Sequence, residues 1–316
     1  MPVKFLTSFF LFLLPLLAAF ACTEYILSGA DNIYTIKRKM IEQRAGSLQV
    51  LVAGTSQTFH SLNPALFNRP SLNLAAPAQP LYYDCKIVLN YLPRLKNLRL
   101  VIIPLDYFSL FFDADNTTLR PYYYYHFWHI DNPVLSKTDI RKYSVLARFK
   151  PATCREIFSE MIAEKKINIR FQADGMLENG FNGLQAPADT NGFEKDASSK
   201  IKRWNNTLMS KNDFTGNTQN LENLVAILQA KKINVLLLST PVTQNIYAKY
   251  DSTFINMKTR FIRHITSSYS NIKYADFSLD PRFTIKDFYD PNHLNSIGAV
   301  KFSKIIRQEY IDQMIP

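Results

Sequence analysis

The sequence predicts an α/β protein, a three-layer sandwich in which a mostly parallel sheet is covered by helices on both faces. Short apolar segments alternate with segments of helical periodicity. The apolar segments are rich in Val, Ile and Leu without polar alternation, which is typical of strands buried on both faces. The 316 residues are 47% hydrophobic, enough for a large core, which excludes disordered, collagen-like and disulfide-knot proteins.

The first 22 residues are typical of an exported protein. Lys4 precedes seventeen uncharged residues, 5–21. Small residues at Ala19 and Ala21 fit a cleaved signal peptide. The apolar segment is also long enough to remain as a membrane-spanning anchor. Cys22 adds a third alternative, a lipoprotein, and all three place the later residues in the periplasm or outside the cell, anchored or secreted.

The other two cysteines fit an oxidising compartment without proving it. Once Cys22 is assigned to the leader, Cys85 and Cys154 remain as a possible disulfide pair. A disulfide needs close Cα atoms, and sequence spacing does not reveal them. A bridge and two separate buried thiols therefore both stay open.

The chain is basic, with a formal net charge of +11. Such a charge suits nucleic acid, anionic lipid or an acidic polymer. No zinc-finger, helix-turn-helix or RNA-binding signature accompanies it, and most cations are scattered. We therefore predict a generally basic surface and no nucleic-acid partner.

Three segments are predicted along the chain: a signal peptide or membrane anchor at 1–22, a stalk or docking helix at 23–46, and one α/β domain at 47–316. Gly46 ends the charged helical pattern of residues 32–44. Strands are predicted at 48–53, 71–74, 98–104, 234–239 and 272–275. Helices are predicted at 81–92, 221–232 and 297–311.

A large insertion at about 105–204 interrupts this alternation after the third strand. Because it follows a carboxyl end of the sheet, it is expected to overhang the ligand site. Its aromatic segment, 121–129, either offers a platform for sugar rings or acyl chains or packs the insertion onto the sheet. Packing is favoured because aromatic residues dominate cores as well as interfaces. His126 and His129 lack a third candidate ligand, so no metal site is predicted.

The first chemical signal is Ser56, two residues after Gly54 at the end of the first predicted strand. Glycine allows the chain to turn sharply there. A serine at such a turn, near a helix N-terminus, exposes its hydroxyl beside N–H groups that can stabilise negative charge. Serine also favours ordinary turns and caps, so this signal is weak by itself.

The second signal is the pair Asp290 and His293, three residues apart in a segment with Pro and Asn. The imidazole of His293 could take a proton from a serine hydroxyl, while Asp290 would fix its tautomer. The alternative is a capping aspartate beside a solvated histidine. His60, four residues after Ser56, is a second candidate base, although a plain position on a helix face is favoured for it.

Together, Ser56 and residues 290–303 (DPNHLNSIGAVKFS) resemble the SGNH/GDSL hydrolase superfamily, which has a flavodoxin-like α/β fold. The segment is especially similar to envelope-bound acyltransferases such as the alginate O-acetyltransferases and the D-alanylation protein of teichoic acids. The resemblance covers about 48–110 and 233–311. It implies that Ser56 is the nucleophile, His293 the base and Asp290 the residue that orients the base.

The sequence departs from this family at three places. The usual Gly-Asp-Ser reads Gly54-Thr55-Ser56. In the second family block, Asn73 is present but Ala78 occupies the place of the glycine. The asparagine of the third block has no counterpart after Pro104. The resemblance therefore implies an oxyanion hole made by the N–H groups of Ser56 and Ala78, with Asn73 nearby.

These inferences predict an exported serine esterase or O-acyltransferase that acts on an acyl ester of a cell-envelope carbohydrate. No cofactor is expected. The expected partners are an acyl-ester or carbohydrate polymer substrate, the membrane through the N-terminal segment, and a membrane protein that donates acyl groups. The alternative is a non-catalytic scaffold of the same fold that binds polysaccharide or a partner protein, and the missing third block favours it.

Overall fold

A computed structural model describes residues 2–28, 32–112, 120–144, 146–148, 177, 179–187, 189–209 and 215–315. The chain forms two compact units. The larger consists of Lys37–Ala114 and Gly175–Pro316, and the smaller of Met1–Ile36 and Asp115–Asp174. The predicted division at residues 22 and 46 stays a prediction. Cys154 lies outside the described residues, so its pairing with Cys85 stays open as well.

The larger unit contains a five-stranded parallel sheet with strand order β2-β1-β3-β4-β5. This is the flavodoxin-like order of doubly wound α/β proteins, and it confirms the predicted fold class. The strands are β1 (Val50–Val52), β2 (Ser71–Asn73), β3 (Leu100–Pro104), β4 (Asn234–Ser239) and β5 (Ile272–Asp276). A separate antiparallel hairpin is formed by β6 (Phe288–Asp290) and β7 (His293–Leu294).

The α-helices of the described residues, in order, are α1 (Pro2–Ser28), α2 (Ile33–Arg44), α3 (Ser56–Ser61), α4 (Leu81–Tyr91), α5 (Arg120–Trp128), α6 (Phe193–Met209), α7 (Thr215–Ala230), α8 (Gln244–Tyr247), α9 (Ser252–Ser268), α10 (Ser296–Ile306) and α11 (Asp312–Met314). A single π-helical segment, Arg307–Ile311, joins the last two. The helix predicted at 297–311 therefore ends as an α-helix five residues early.

The helices cover both faces of the sheet because the strand order reverses once. Across the sheet, the connection from β1 to β2 runs in one direction. The connections from β2 to β3, from β3 to β4 and from β4 to β5 all run in the other direction. Since parallel crossovers are right-handed, α3 lies on one face and α4, α7 and α9 lie on the other. The observed contacts agree, because α3 packs on α10 and α4 packs on α7.

Successive side chains of a strand point to opposite faces of the sheet, and in the central strands both sets are buried. Val50, Ile102 and Leu236 join one apolar cluster with Phe302 of α10. Their neighbours in the strands, which point to the opposite face, are equally buried; they include Leu51, Val101 and Leu237. Strands buried on both faces explain why the sequence shows continuous apolar segments.

The smaller unit is built around aromatic packing. The rings of Tyr34 and Tyr123 stack with their centroids 5.1 Å apart, and the ring of Tyr124 meets Tyr34 edge-on. Tyr122 and Trp128 are also buried. These side chains pack within the smaller unit. Packing of the insertion onto the sheet stays a prediction.

Helix α1 includes the apolar segment of the sequence. Residues Val3–Ile26 form one helix that is long and apolar enough to cross a membrane, judged by length and composition. Such a helix is compatible with a signal sequence or an anchor.

Candidate active site

Ser56 is positioned by a tight turn at the carboxyl end of β1. Gly54 has φ 123°, a conformation that side chains other than hydrogen rarely permit. A Cβ atom there would lie 2.3 Å from the Pro104 side chain and from Thr58 Oγ1. Thr55 caps α3, and Ser56 is the first helical residue. The sequence folds this way because only glycine fits between β1 and the neighbouring strand end.

Asn73 supports α3 rather than the space above Ser56. Its amide nitrogen donates to Thr58 O at 3.0 Å and to Leu62 O at 2.9 Å, while its Oδ1 accepts from Ala75 N at 2.9 Å. Both amide hydrogens are therefore used inside the protein. The residue lies near the site as predicted, but its side chain holds the end of the helix that carries the serine.

Ala78 lies in the loop between β2 and α4, and this loop rests against the serine turn. Ala76 N donates to Gly54 O at 3.0 Å. Ala78 itself adopts a left-handed conformation with φ 49°. Among the hydrogen bonds of the described residues, the N–H groups of Ser56 and Ala78 are not used. Their role as oxyanion donors stays a prediction.

Asp290 and His293 occupy the two strands of the β6–β7 hairpin. One carboxylate oxygen of Asp290 accepts from the N–H groups of Asn292 and His293, at 2.9 and 3.0 Å. These two bonds fix the carboxylate inside the turn. The other oxygen lies 2.9 Å from His293 Nδ1. The short spacing in sequence thus places both side chains side by side.

The start of α10 holds this hairpin in place. Asn295 Oδ1 accepts from Ile297 N and Gly298 N, and its amide nitrogen donates to Lys286 O and Phe288 O. A Cβ atom on Gly298 would lie 2.2 Å from Asp287 O. The asparagine and the glycine of the 290–303 segment therefore lock the helix onto the hairpin.

The structure brings Ser56, His293 and Asp290 together. Ser56 Oγ lies 2.8 Å from His293 Nε2, and His293 Nδ1 lies 2.9 Å from Asp290 Oδ2. Residues 237 positions apart in sequence thus form one hydrogen-bonded series. In this arrangement His293 can accept the hydroxyl proton at Nε2 while its Nδ1–H donates to the carboxylate.

Lys200 of α6 is a member of the site that the sequence did not indicate. Its ammonium group lies 2.7 Å from Asp290 Oδ2 and 2.9 Å from Asp196. Burial by itself raises the pKa of the Asp290 carboxyl, but the hydrogen bond from His293 and the charges of His293 and Lys200 outweigh it. The pKa of Asp290 is therefore held well below its ordinary value. The carboxylate stays ionised, as an orienting group must.

His60 lies beside the site without bonding to the serine. Its Nδ1 lies 2.6 Å from Asn182 O, and its ring meets the ring of His293 edge-on with centroids 5.8 Å apart. Burial lowers the pKa of His60 to about 4, although the bond to Asn182 opposes this. The neutral ring forms a wall of the site, and the hydroxyl of Ser56 bonds to the other histidine.

Asp106 occupies the position after β3 where the resemblance led us to look for an asparagine. Its Oδ1 accepts from both the N–H and the hydroxyl of Thr240, each at 2.8 Å. Gln57 Nε2 donates to the same hydroxyl at 3.0 Å. Burial raises the pKa of Asp106, which those hydrogen bonds only partly offset. These buried hydrogen bonds connect Gln57, the residue after Ser56, to Thr240 at the end of β4 and to Asp106 after β3.

A second buried network contacts the turn at Gly54 that precedes Ser56. Asp84 Oδ1 accepts from Gly54 N at 2.7 Å, and Lys37 donates to Ala75 O with its ammonium 4.1 Å from the centre of the Phe59 ring. Burial lowers the pKa of Lys37 and raises that of Asp84 to about 7. Helix α2, which precedes β1 in the chain, thus reaches the loops that surround Ser56.

Metal ligands do not cluster in the part of the chain that the structure describes, since no three His, Cys, Asp or Glu residues come together there. The expected absence of a cofactor stays a prediction.

Comparisons with known proteins add little to this geometry. No family model matches the chain, and no curated protein matches it. Among solved structures, the chain is similar to a Streptococcus pneumonia protein described as a "putative platelet activating factor". The two chains are 12% identical with a TM-score of 0.41, and the match covers 96% of this chain and 98% of that one. The functional argument therefore depends on the site itself.

Proposed function

We propose that the chain is an exported serine esterase or O-acyltransferase of the SGNH/GDSL type, which acts on an acyl ester of a cell-envelope carbohydrate. The observation that supports this proposal is the series Ser56–His293–Asp290, with successive distances of 2.8 and 2.9 Å. Serine, imidazole and carboxylate in this order form the triad of acyl-transfer enzymes.

The proposed reaction has two steps. Ser56 Oγ attacks the acyl carbonyl carbon while its proton passes to His293 Nε2, and the alkoxide of the substrate leaves with that proton. The resulting acyl-enzyme is then attacked by water or by a carbohydrate hydroxyl, whose proton passes to the same nitrogen. Water gives an esterase and a hydroxyl gives a transferase, with Ser56 restored in both.

The oxyanion of each step would be stabilised by backbone N–H groups. Ser56 N at the start of α3 and Ala78 N in the adjoining loop are the proposed donors, because Asn73 uses its amide hydrogens within the protein. One donor is worth about 2.7–4 kcal/mol of transition-state stabilisation. A site with two donors is therefore expected to be slower than one with three.

The proposed location follows from α1. Its apolar part, Val3–Ile26, would hold the catalytic unit at the outer side of the membrane after export. There the enzyme would meet carbohydrate polymers and a membrane protein that supplies acyl groups. Both partners belong to the proposal.

A fluorophosphonate probe tests the nucleophile directly, since it phosphonylates only an activated serine. The wild-type chain should be labelled, and Ser56→Ala should abolish labelling. Asp290→Asn should slow labelling by about two to four orders of magnitude, because the imidazole loses its orienting carboxylate. Labelling is measured by in-gel fluorescence over time.

Ser61→Ala is the matched control, because it removes a hydroxyl from the other end of the same helix. That variant should be labelled like the wild type. An unreactive wild-type chain would contradict the enzyme proposal. It would favour a non-catalytic scaffold of the same fold, for which the buried Asp106 in place of the third-block asparagine is the supporting observation.

A further inference from the structure

Within the smaller unit, the segment that follows α5 contacts the last turns of α1. Ser144 Oγ donates to Glu24 Oε2 at 2.9 Å, and Leu146 N donates to the same oxygen at 3.1 Å. Ser144 and Leu146 are therefore held at the level of Glu24 along the helix axis.

The depth of Glu24 follows from the helix length. The twenty steps from Lys4 to Glu24 give a rise of about 30 Å at 1.5 Å per residue. The hydrocarbon layer of a bilayer is also about 30 Å thick. With Lys4 among the headgroups on one side, Glu24 reaches the headgroups on the other.

Three large apolar or aromatic side chains between the end of α5 and this contact are exposed. Val134 is 55% exposed, Ile140 is 63% exposed and Tyr143 is 44% exposed. Ser144 N donates to Ile140 O at 3.1 Å, so Ile140 lies within one turn of the residue that contacts Glu24. The Tyr143 hydroxyl donates to Lys137 O at 2.7 Å and fixes the ring beside the exposed Lys137.

We propose that Val134, Ile140 and Tyr143 form a membrane-docking face, which inserts into the headgroup region of the outer side of the bilayer that α1 crosses. The occupant is lipid because the contact with Glu24 places this face at the membrane surface. Apolar residues flanked by tyrosine and lysine are typical of that region. The inference rests on the anchoring part of the proposed function and not on catalysis.

The test uses the full chain in liposomes of phosphatidylcholine and phosphatidylglycerol. Ile140→Cys is labelled with an environment-sensitive nitrobenzoxadiazole fluorophore in a Cys22→Ser, Cys154→Ser background. Replacing part of the lipid with acyl-brominated lipid should quench the fluorophore at 140 by roughly half or more. Ile297→Cys is the matched control, because Ile297 of the larger unit is 62% exposed, and it should be quenched far less.

Several results would overturn the inference. Liposomes that float with the chain while the label at 140 is unquenched, or quenched no more than the label at 297, would show that this face does not touch lipid. If the label at 140 becomes buried in native membranes but not in liposomes, a membrane protein and not lipid covers this face. Failure of the chain to float would refute the anchor as well. Fluorophosphonate labelling of Ser56 on the same liposomes reports catalysis independently.

Discussion

His60 shows how one side chain limits the charge around the proposed base. Its ring lies edge-on to His293, so a second imidazolium there would repel the positive charge that His293 would acquire in the proposed acyl transfer. Burial prevents this by lowering the pKa of His60 to about 4. The residue is thus kept neutral throughout the pH range in which a histidine base works.

This burial predicts a pH-dependent stability. Unfolded histidine has a pKa of about 6.5, so between about pH 6.5 and 4 the unfolded chain binds more protons than the folded one. Stability from this residue is complete above the unfolded pKa and is lost as the pH falls through the folded one. In His60→Gln, the loss of unfolding free energy between pH 7 and pH 4.5 should shrink by up to about 3 kcal/mol.

Urea unfolding at both pH values measures this difference. His264→Gln is the control, because its imidazole is exposed on α9, and this variant should keep the wild-type pH dependence. If His60→Gln also keeps it, the interpretation of a buried neutral ring is wrong.

Single residues were predictable from sequence where a local motif carried them. Ser56 follows a glycine turn, and Asp290 with His293 lies in one short segment. Each signal was weak by itself, and the resemblance that they carry together suggested their roles. Lys200 was not predictable, because its position in α6 gives no sign that it meets Asp290, ninety residues away. Asn73 was found by its position, but its bonds to Thr58 and Leu62 could not be read from sequence.

At the scale of elements, the start of α10 is the structural centre of the C-terminal motif. Asn295 bonds two N–H groups of the helix and two carbonyl groups before the hairpin. Asn295→Ala removes all four bonds and leaves buried groups without partners. It should lower the unfolding free energy by about 2 kcal/mol or more, and it should slow fluorophosphonate labelling because the hairpin carries the proposed base.

Asn220→Ala provides the comparison, since the Asn220 side chain bonds only to Gly216 O on the exposed side of α7. It should change the unfolding free energy by no more than about 0.5 kcal/mol. Denaturant unfolding and labelling rates measure both variants. An equally small effect of Asn295→Ala would mean that the cap does not hold the hairpin.

The five strands were predicted within two residues at each end because buried parallel strands have continuous apolar sequences. Helix α9 was not predicted at all, and α6 was partly assigned to a polar insertion. Both are amphipathic helices with many charged or polar residues, and their apolar positions are too few to stand out without knowledge of the surface they cover. The β6–β7 hairpin was expected as a loop, because strands of two and three residues are too short to show a sequence period.

At the scale of the whole molecule, the proposed location depends on α1. A reporter that is active only outside the cytoplasm, fused after Arg44, should be active. Replacing Leu13 and Leu14 with Arg should abolish that activity, because each arginine costs about 2.5–3.5 kcal/mol at the centre of a spanning helix. Carbonate extraction of the wild-type chain should leave it in the membrane pellet.

If the fusion remains active with arginine at positions 13 and 14, export through α1 is refuted. Release of the wild-type chain by carbonate, with loss of the first 21 residues in its mass, would replace the anchor with a cleaved signal peptide. The catalytic proposal would survive either result, since Ser56, His293 and Asp290 all lie in the larger unit.

The buried ammonium of Lys37 has a practical consequence for obtaining a soluble form of this protein. Its contacts with Ala75 and Phe59 make α2, the helix that follows α1, part of the scaffold around the Ser56 turn. A version trimmed to the start of the sheet would leave Asp84 without its buried cation and would open a hole beneath the nucleophile. Truncation should therefore remove α1 and keep α2.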